Sequence, residues 1–416
     1  MEPRLPTFLW SFRSLLIVFI GISISLPIAW ISLAKVILLL CGLIYIAENY
    51  FSAKKVFWLA GARTSKVIWA TLALFSISLV WTESTLSFAL LTLLKHAKLI
   101  EILLLLILIQ TIRDAKIGVV SLMIGQSFLL ISSWLLAAGM PVLWTPDSPG
   151  KYVVFSSYLD QSIMFASMAA VAWHLRNEGL WPKWVSTLFT VAALANVFFL
   201  LEGRTGHVVG VVVLSLIVMW SVQKPYRFVS LGMTSIILSL TLYAYSLTFN
   251  TRLSGVVNES QQYAQKTDVQ TSVGWRLNAW HRSLQAIAEK PFSGHGVGSW
   301  ALTVKRIEGE KGVSVFGEGN SSNPHQEYLL WGVELGVIGL LLFLLLLFSI
   351  AKDALQYSES IQRAIFSVVA VLAVACLFNS AVYDDLIGDY FCITLGLLMA
   401  YGIQTRVAAT KGSING

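Results

Sequence analysis

The sequence predicts an all-α, polytopic membrane protein with about twelve transmembrane helices and one large external loop between the ninth and tenth, and three observations carry that prediction. Hydrophobic residues make up 56% of the chain and charged residues only 12%, whereas soluble domains carry about 25% charged residues. Apolar runs long enough to cross a hydrocarbon core of about 30 Å recur along nearly its whole length. The lysines and arginines between those runs are distributed as a bilayer would sort them, not as an aqueous surface would.

In chain order the apolar runs cover residues 11–27, 30–48, 67–82, 86–110, 116–138, 158–175, 184–201, 205–222, 227–248, 326–350, 362–382 and 387–405. Pro27 and Trp30 leave only a minimal turn between the first two. Arg4 and Arg13 precede the first run as they would in a signal peptide, but no small-x-small cleavage pattern follows, so the run reads as a retained anchor. With the N-terminus in the cytoplasm, the inside segments hold Arg4, Arg13, Lys54, Lys55, Arg63, Lys66, Arg113, Lys116, Arg176, Lys183, Lys224, Arg227, Lys352, Arg363, Arg406 and Lys411. The short outside loops hold only Lys151 and Arg204. Counted over short loops, this asymmetry puts both termini inside and the polar interval Phe249–Asn323 outside. The chain accordingly divides into residues 1–248 with nine spans, 249–325 as an external loop containing an amphipathic helix, 326–405 with three spans, and 406–416 as a short cytoplasmic tail expected to be disordered.

The net charge of +7 does not point to nucleic acid, because the basic residues are scattered singly instead of forming a stripe. Membrane lipids are the expected surroundings. Cys41, Cys376 and Cys392 all fall inside apolar runs and read as packing residues, with no disulfide framework.

Ionisable residues inside spans are costly in lipid and mark functional candidates. The fourth span holds Lys95, His96, Lys98 and Glu101. Lys98 and Glu101 are one turn apart and can neutralise each other, while Lys95 has no local partner. Lys35 lies in the outer half of the second span and either snorkels to the interface or faces a lipid phosphate. Glu334, between Gly332 and Gly336 in the tenth span, must face a polar interior or carry a proton.

Three external clusters stand out. Glu202-Gly203-Arg204-Thr205-Gly206 is a tight turn that sets Arg204 at the start of a helix, as an interfacial anchor or a ligand. The run Gly274-Trp275-Arg276-Leu277-Asn278-Ala279-Trp280, followed by Arg282, opens a helix that Thr271 and Ser272 can cap and that ends at Lys290-Pro291. Its apolar positions Leu277, Trp280, Leu284 and Ile287 keep helical spacing, which alone describes an interfacial element. In Asn323-Pro324-His325-Gln326-Glu327-Tyr328, Asn323 is a good cap, Pro324 suits the first helical position and Gln326 completes a capping box. His325 is then expected in the first helical turn, where the positive end of the dipole favours neutral imidazole, able to accept a proton. A histidine satisfied by loop carbonyls is the other reading.

Some chemistry is excluded. Gly294-His295-Gly296-Val297-Gly298 lacks the Lys and Ser/Thr ending of a P-loop and reads as a glycine turn. No His-Glu-x-x-His or Cys-x-x-Cys metal pattern occurs. The first external loop is too short to carry the acid used by many membrane glycosyltransferases. Asp384, Asp385 and Asp389 lie at the last external loop, where they pair with the arginines or merely mark the outside.

Taken together, Gly-Arg204-Thr-Gly, Gly-Trp-Arg276 with Trp280, the Pro-Phe-Ser-Gly-His-Gly-Val-Gly turn, and Pro-His325-Gln-Glu-Tyr-Leu followed by Gly-Val-Glu-Leu-Gly-Val-Ile-Gly-Leu resemble the O-antigen ligase/polymerase superfamily of Gram-negative bacteria. The likeness is sharpest from about residue 200 to 340. It departs from the family at Gln326, where asparagine is commoner after the histidine. The resemblance implies a GT-C-like enzyme of the inner membrane with a periplasmic active site. It implies glycan transfer from an undecaprenyl diphosphate carrier to a sugar of lipid A-core, by direct inverting displacement without a metal or other cofactor. In that reading Arg204 and Arg276, with Arg282 and Lys35, hold the diphosphate, His325 is the general base, and Asp389 and Glu334 are candidate charge partners. An O-antigen polymerase, which extends carrier-linked repeats, is the alternative within the family. A polar-solute transporter is the alternative outside it: it would use Lys95, Lys98, Glu101 and Glu334 as a path through the bundle, but gives no reason for Arg204, Arg276 and His325 to collect outside.

Overall fold

The computed structural model describes residues 7–48, 62–144, 151–265, 271–310 and 323–414; Arg4, Lys54 and Lys55, assigned above to the inside, lie outside the described residues. Among those described there are sixteen α-helices and no strand. They are α1 (Thr7–Ser23), α2 (Ile28–Glu48), α3 (Ala62–Ile77), α4 (Leu86–Ala97), α5 (Ile100–Leu108), α6 (Ile112–Ala137), α7 (Tyr158–His174), α8 (Lys183–Phe199), α9 (Arg204–Ser221), α10 (Arg227–Tyr245), α11 (Leu247–Ala264), α12 (Ser272–Glu289), α13 (Trp300–Glu310), α14 (Glu327–Ala354), α15 (Glu359–Phe378) and α16 (Asp385–Ile414).

By length and composition, eight of the described helical stretches can cross a membrane. These fall on α2, α3, α6, α9, α10, α14, α15 and α16, consistent with a multi-pass membrane protein. The four other expected spans fall on shorter pieces. α1, α7 and α8 have 17 residues each, and the fourth span, expected as one helix, is broken at Lys98 and Leu99 into α4 and α5. The expected disordered tail is instead helical to Ile414.

Burial sorts the helices into a centre and a rim. In α16, 89% of the apolar window is buried, so this helix is apolar all round because protein surrounds it. In α10 the figure is 6%, which leaves its apolar side chains for lipid. Because lipid is as apolar as leucine, the centre is held by close packing and not by exclusion from water. Gly396 of α16 illustrates this: a Cβ there would come within 2.7 Å of Leu105 on α5.

A second break determines the site. α14 is interrupted at Gly336, whose φ of 67° and ψ of −157° free backbone groups that a continuous helix would pair. The segment after α12 takes them up. His295 N–H donates to Val333 O at 2.9 Å, Gly296 N–H to Glu334 O at 2.8 Å, and Val337 N–H to Pro291 O at 2.7 Å. The Glu334 carboxylate completes the joint, accepting from Gly298 N–H at 2.8 Å and facing His96 Nε2 at 3.0 Å. Irregular backbone is tolerated here because it is buried in protein with its polar groups satisfied. The expected glycine turn is thus present, with left-handed φ at Gly294, Gly296 and Gly298. It clamps the end of α12 to α14 and so fixes Arg276 relative to His325.

Candidate active site

Several helix beginnings converge at one end of the bundle. α7 starts after Ser157, whose Oγ accepts from Asp160 N–H at 3.1 Å and donates to Asp160 Oδ2 at 2.8 Å. α12 starts after Thr271, whose Oγ1 accepts from Gly274 N–H at 3.1 Å. α14 starts after Gln326, whose side-chain oxygen accepts from Leu329 N–H at 2.6 Å. α16 starts at Asp385. Ser157, Tyr158, Leu159 and Asp160, Arg276, His325, and Asn379, Asp384, Asp385 and Leu386 line an open cavity of about 380 Å³. Helix N-termini carry partial positive charge, so their convergence with Arg276 in the wall favours an anion, against the carboxylates of Asp160, Asp384 and Asp385 in the same wall.

Arg204 stands beside this cavity at the start of α9. Its Nη1 lies 3.5 Å from Glu259 Oε2 and its Nη2 bonds the other carboxylate oxygen. Glu259 Oε2 also accepts from Val273 N–H at 2.9 Å, which ties α11 to the start of α12. Burial pushes the Glu259 carboxyl up, but its bonds from Arg204 and Val273 and the charges of Arg204 and Arg276 outweigh it and leave it below the usual carboxylate range. Arg276 is pushed below its ordinary value by burial and by the nearby Arg204 charge, with Tyr158 and Glu259 opposing. Arg204 is thus paired with Glu259, while Arg276 feels both charges and lines the cavity together with Asp160, Asp384 and Asp385.

His325 departs from expectation in its backbone. α14 begins at Glu327, so His325 precedes the helix with φ of 49°, a left-handed value uncommon outside glycine. Asn323 is not the helix cap; its Oδ1 accepts from His325 N–H at 2.8 Å in a tight turn. The Trp280 indole holds the same turn through a 3.1 Å bond to Pro324 O. Nδ1 donates to Asn379 Oδ1 at 3.2 Å, which leaves the Nε2 lone pair as the proton acceptor. The Trp275 ring packs edge-on to the imidazole at 5.3 Å between centroids. Burial and then the Arg276 charge push His325 below the ordinary imidazole range, against the Asn379 bond. Neutrality therefore comes from burial and a cationic neighbour, not from a position inside the first helical turn.

The other sequence candidates sit elsewhere. Lys35 pairs with Asp389 at 2.7 Å. Lys98 lies 3.8 Å from Asp389 and 4.0 Å from Asp385 instead of being neutralised locally by Glu101, and Lys95 has a partner after all in Asp385 at 3.7 Å. Asp389 therefore serves lysines, not the arginines, and Glu334 serves His96 and Gly298. Arg282 is buried in α12 with Gln285 Oε1 3.1 Å from its Nη1 and does not line the cavity. The buried face of α12 is Gly274, Asn278, Ala279, Arg282, Ser283 and Ala286; Leu284, read as part of the apolar stripe, is exposed.

Sequence reasoning missed Ser157, Tyr158, Asp160 and Asn379. The Ser157-x-x-Asp160 capping pattern at the outer start of the sixth span was the available signal; nothing local marks Asn379. Burial, with Asp160 and Glu327 nearby, pushes Asp384 up to about 7, against Lys98 and Lys95. Among the described residues no group of three or more His, Cys, Asp or Glu is arranged to hold a metal ion.

Two comparisons with known proteins bear on this site. Residues 188–344, which include Arg204, Arg276 and His325, match the family described as O-Antigen ligase. A Rickettsia conorii protein provisionally named a polysaccharide ligase is 28% identical over 208 residues, covering 46% of this chain and 48% of that protein. The matched stretch thus spans about half the length of the relative. Over residues 188–344 the chain is thus similar to the O-antigen ligase family, in the stretch where the motifs were read.

Proposed function

We propose that this protein is an O-antigen ligase. It takes a glycan from undecaprenyl diphosphate and joins it to a sugar of lipid A-core at the periplasmic face of the inner membrane, with both chain termini cytoplasmic. The observation that carries this reading is the cavity holding Arg276 and His325 at converging helix beginnings, with Arg204 alongside. The chemistry needs two things: cations for a diphosphate leaving group, and a base for an acceptor hydroxyl. Guanidiniums supply planar, paired donors that suit phosphate oxygens, and a half-buried neutral imidazole with a free Nε2 suits proton removal.

In the proposed step the acceptor oxygen attacks the anomeric carbon as Nε2 of His325 takes its proton. The bond from that carbon to the carrier oxygen breaks, and the electron pair leaves with the diphosphate, whose growing charge Arg276 and Arg204 stabilise. Configuration at the anomeric carbon inverts. Arg204 reaches the diphosphate by sharing or leaving Glu259. Because arginines neutralise the charge, a chelator should leave the rate unchanged. Lys35 and Arg282, engaged elsewhere, are outside this step.

The test is purified protein with carrier-linked glycan and either core lipid A or a second carrier-linked repeat. Transfer to core lipid A supports the ligase reading. Elongation of the carrier-linked repeat alone makes the protein a polymerase, and no transfer to either would remove the enzyme reading.

A further inference from the structure

The end of the bundle opposite the cavity carries a second cationic group. α7, α9 and α15 each run from the cavity end to this one: α7 from Tyr158 to His174, α9 from Arg204 to Ser221, and α15 backward from Phe378 to Glu359. These three helices pack on one another. At their far ends, Arg227 and Arg363 both lie over the Trp220 ring, at 4.9 Å and 5.3 Å from its centroid. Arg176 lies over Trp173 at 4.1 Å and close enough to Arg363 that burial and that charge hold it below its ordinary value. Arg363 pairs with Glu359, which is itself exposed. Neither Arg176 nor Arg227 meets a carboxylate among the described residues.

Helix capping does not account for these side chains. Arg176 donates Nη1–H to Trp173 O at 2.6 Å and Arg227 donates Nε–H to Val222 O at 3.3 Å, so each closes a helix end. Each guanidinium has five N–H donors, so the capping bond uses only one of them, and both side chains are half-buried. The Trp220 indole N–H is buried without an acceptor. Three arginines gathered with one exposed carboxylate among the described residues repel one another unless an anion joins them.

We propose that Arg176, Arg227 and Arg363 bind the phosphodiester headgroup of an anionic phospholipid at the membrane surface opposite the active site. Arginine suits a phosphate group through paired donors, and basic clusters between helix ends on one leaflet select anionic lipids. A lipid is favoured over free phosphate because the apolar face of α10 begins beside Arg227. Phe228 is 83% and Val229 59% exposed, giving an acyl chain a surface continuous with the headgroup.

The experiment adds phosphatidylglycerol, phosphatidylcholine or inorganic phosphate to the purified full chain in detergent. Lipid retention is read by native mass spectrometry and the thermal midpoint by unfolding. Phosphatidylglycerol should be retained and should raise the midpoint; phosphatidylcholine and phosphate at equal concentration should not. The double variant Arg176→Gln/Arg227→Gln should bind phosphatidylglycerol roughly 10- to 30-fold more weakly, two surface charges' worth, and Arg176→Lys/Arg227→Lys should keep part of the affinity. Equal retention of phosphatidylcholine, an equal response to phosphate alone, or unchanged affinity in the glutamine variant would each overturn the proposal. If the glutamine variant fails to fold, the phosphatidylglycerol-against-phosphatidylcholine comparison on the unmodified chain still decides.

Discussion

Arg204, Arg276 and His325 sit at or near the beginnings of helices beside an open cavity, whereas Lys35, Lys95 and Lys98 sit within or at the end of helices and converge on Asp385 and Asp389 in the first two turns of α16. In the lysine region every cation has a carboxylate within 4.0 Å and the carboxylate Asp389 is almost fully buried. In the arginine region Arg204 pairs with Glu259, and Arg276 is near both without an ion pair among the described residues. Charges of one sign in a membrane protein therefore divide by their surroundings. Paired lysines inside the bundle fix helices to one another, whereas the helix-end arginines line or flank an open cavity.

Neutralising one member in each region should separate these roles. Asp389→Asn leaves Lys35 and Lys98 without their buried partner and should cost about 3–5 kcal/mol of stability, read as a large fall in thermal midpoint in detergent. Arg276→Gln should leave the midpoint nearly unchanged, because its charge is opposed in the native state. An Asp389→Asn variant as stable as the parent would erase the distinction. The joint between the regions is next. Gly294 has φ of 62° and its Cβ would come within 2.5 Å of the Glu334 backbone, so Gly294→Ala should destabilise by more than about 1 kcal/mol and slow transfer by loosening Arg276 against His325.

Smaller effects sharpen the same contrast. Glu259→Gln keeps an acceptor for Val273 N–H but stops neutralising Arg204, and should tighten carrier binding by roughly 2- to 5-fold, the scale of a partly exposed ion pair. Weaker binding would mean that Glu259 orients Arg204 for the ligand. Asp384 gives a pH signature. Its folded-state value is raised to about 7, so its contribution is full below the unfolded aspartate range near about 4 and is lost as pH rises through about 7. Asp384→Asn should then stabilise the protein little at about pH 5 and more at about pH 8; a gap independent of pH would contradict the burial argument.

Much of this was legible from sequence where the physics is local. Apolar runs gave the helices, Thr271 and Gly203-Arg204 gave the starts of α12 and α9, and three glycines gave the turn at residues 294–298. The His325 backbone was misread because Asn323-Pro324 satisfies helix-start chemistry as well as Gln326 does, and the choice between them rests on the contact with Trp280. The break at Gly336 was hidden because its backbone hydrogen bonds are completed by the distant segment 291–296, and that at Lys98–Leu99 because the Lys98 side chain reaches the Tyr383 and Asp384 carbonyls. Asn379 and Asp160 joined the site through the convergence of α7, α15 and α16, which periodicity along one chain does not encode.

The central claim is that Arg276 holds the carrier diphosphate while His325 takes the acceptor proton. It is tested most directly by measuring carrier-lipid affinity and single-turnover transfer separately in Arg276→Lys and His325→Ala. Arg276→Lys should lose carrier affinity roughly 10- to 100-fold, because a point charge forfeits paired bonds to a charged group. His325→Ala should bind the carrier as the parent does and transfer about 10²- to 10⁴-fold more slowly. If His325→Ala transfers at the parental rate, or loses carrier affinity as severely as Arg276→Lys, His325 is not the base.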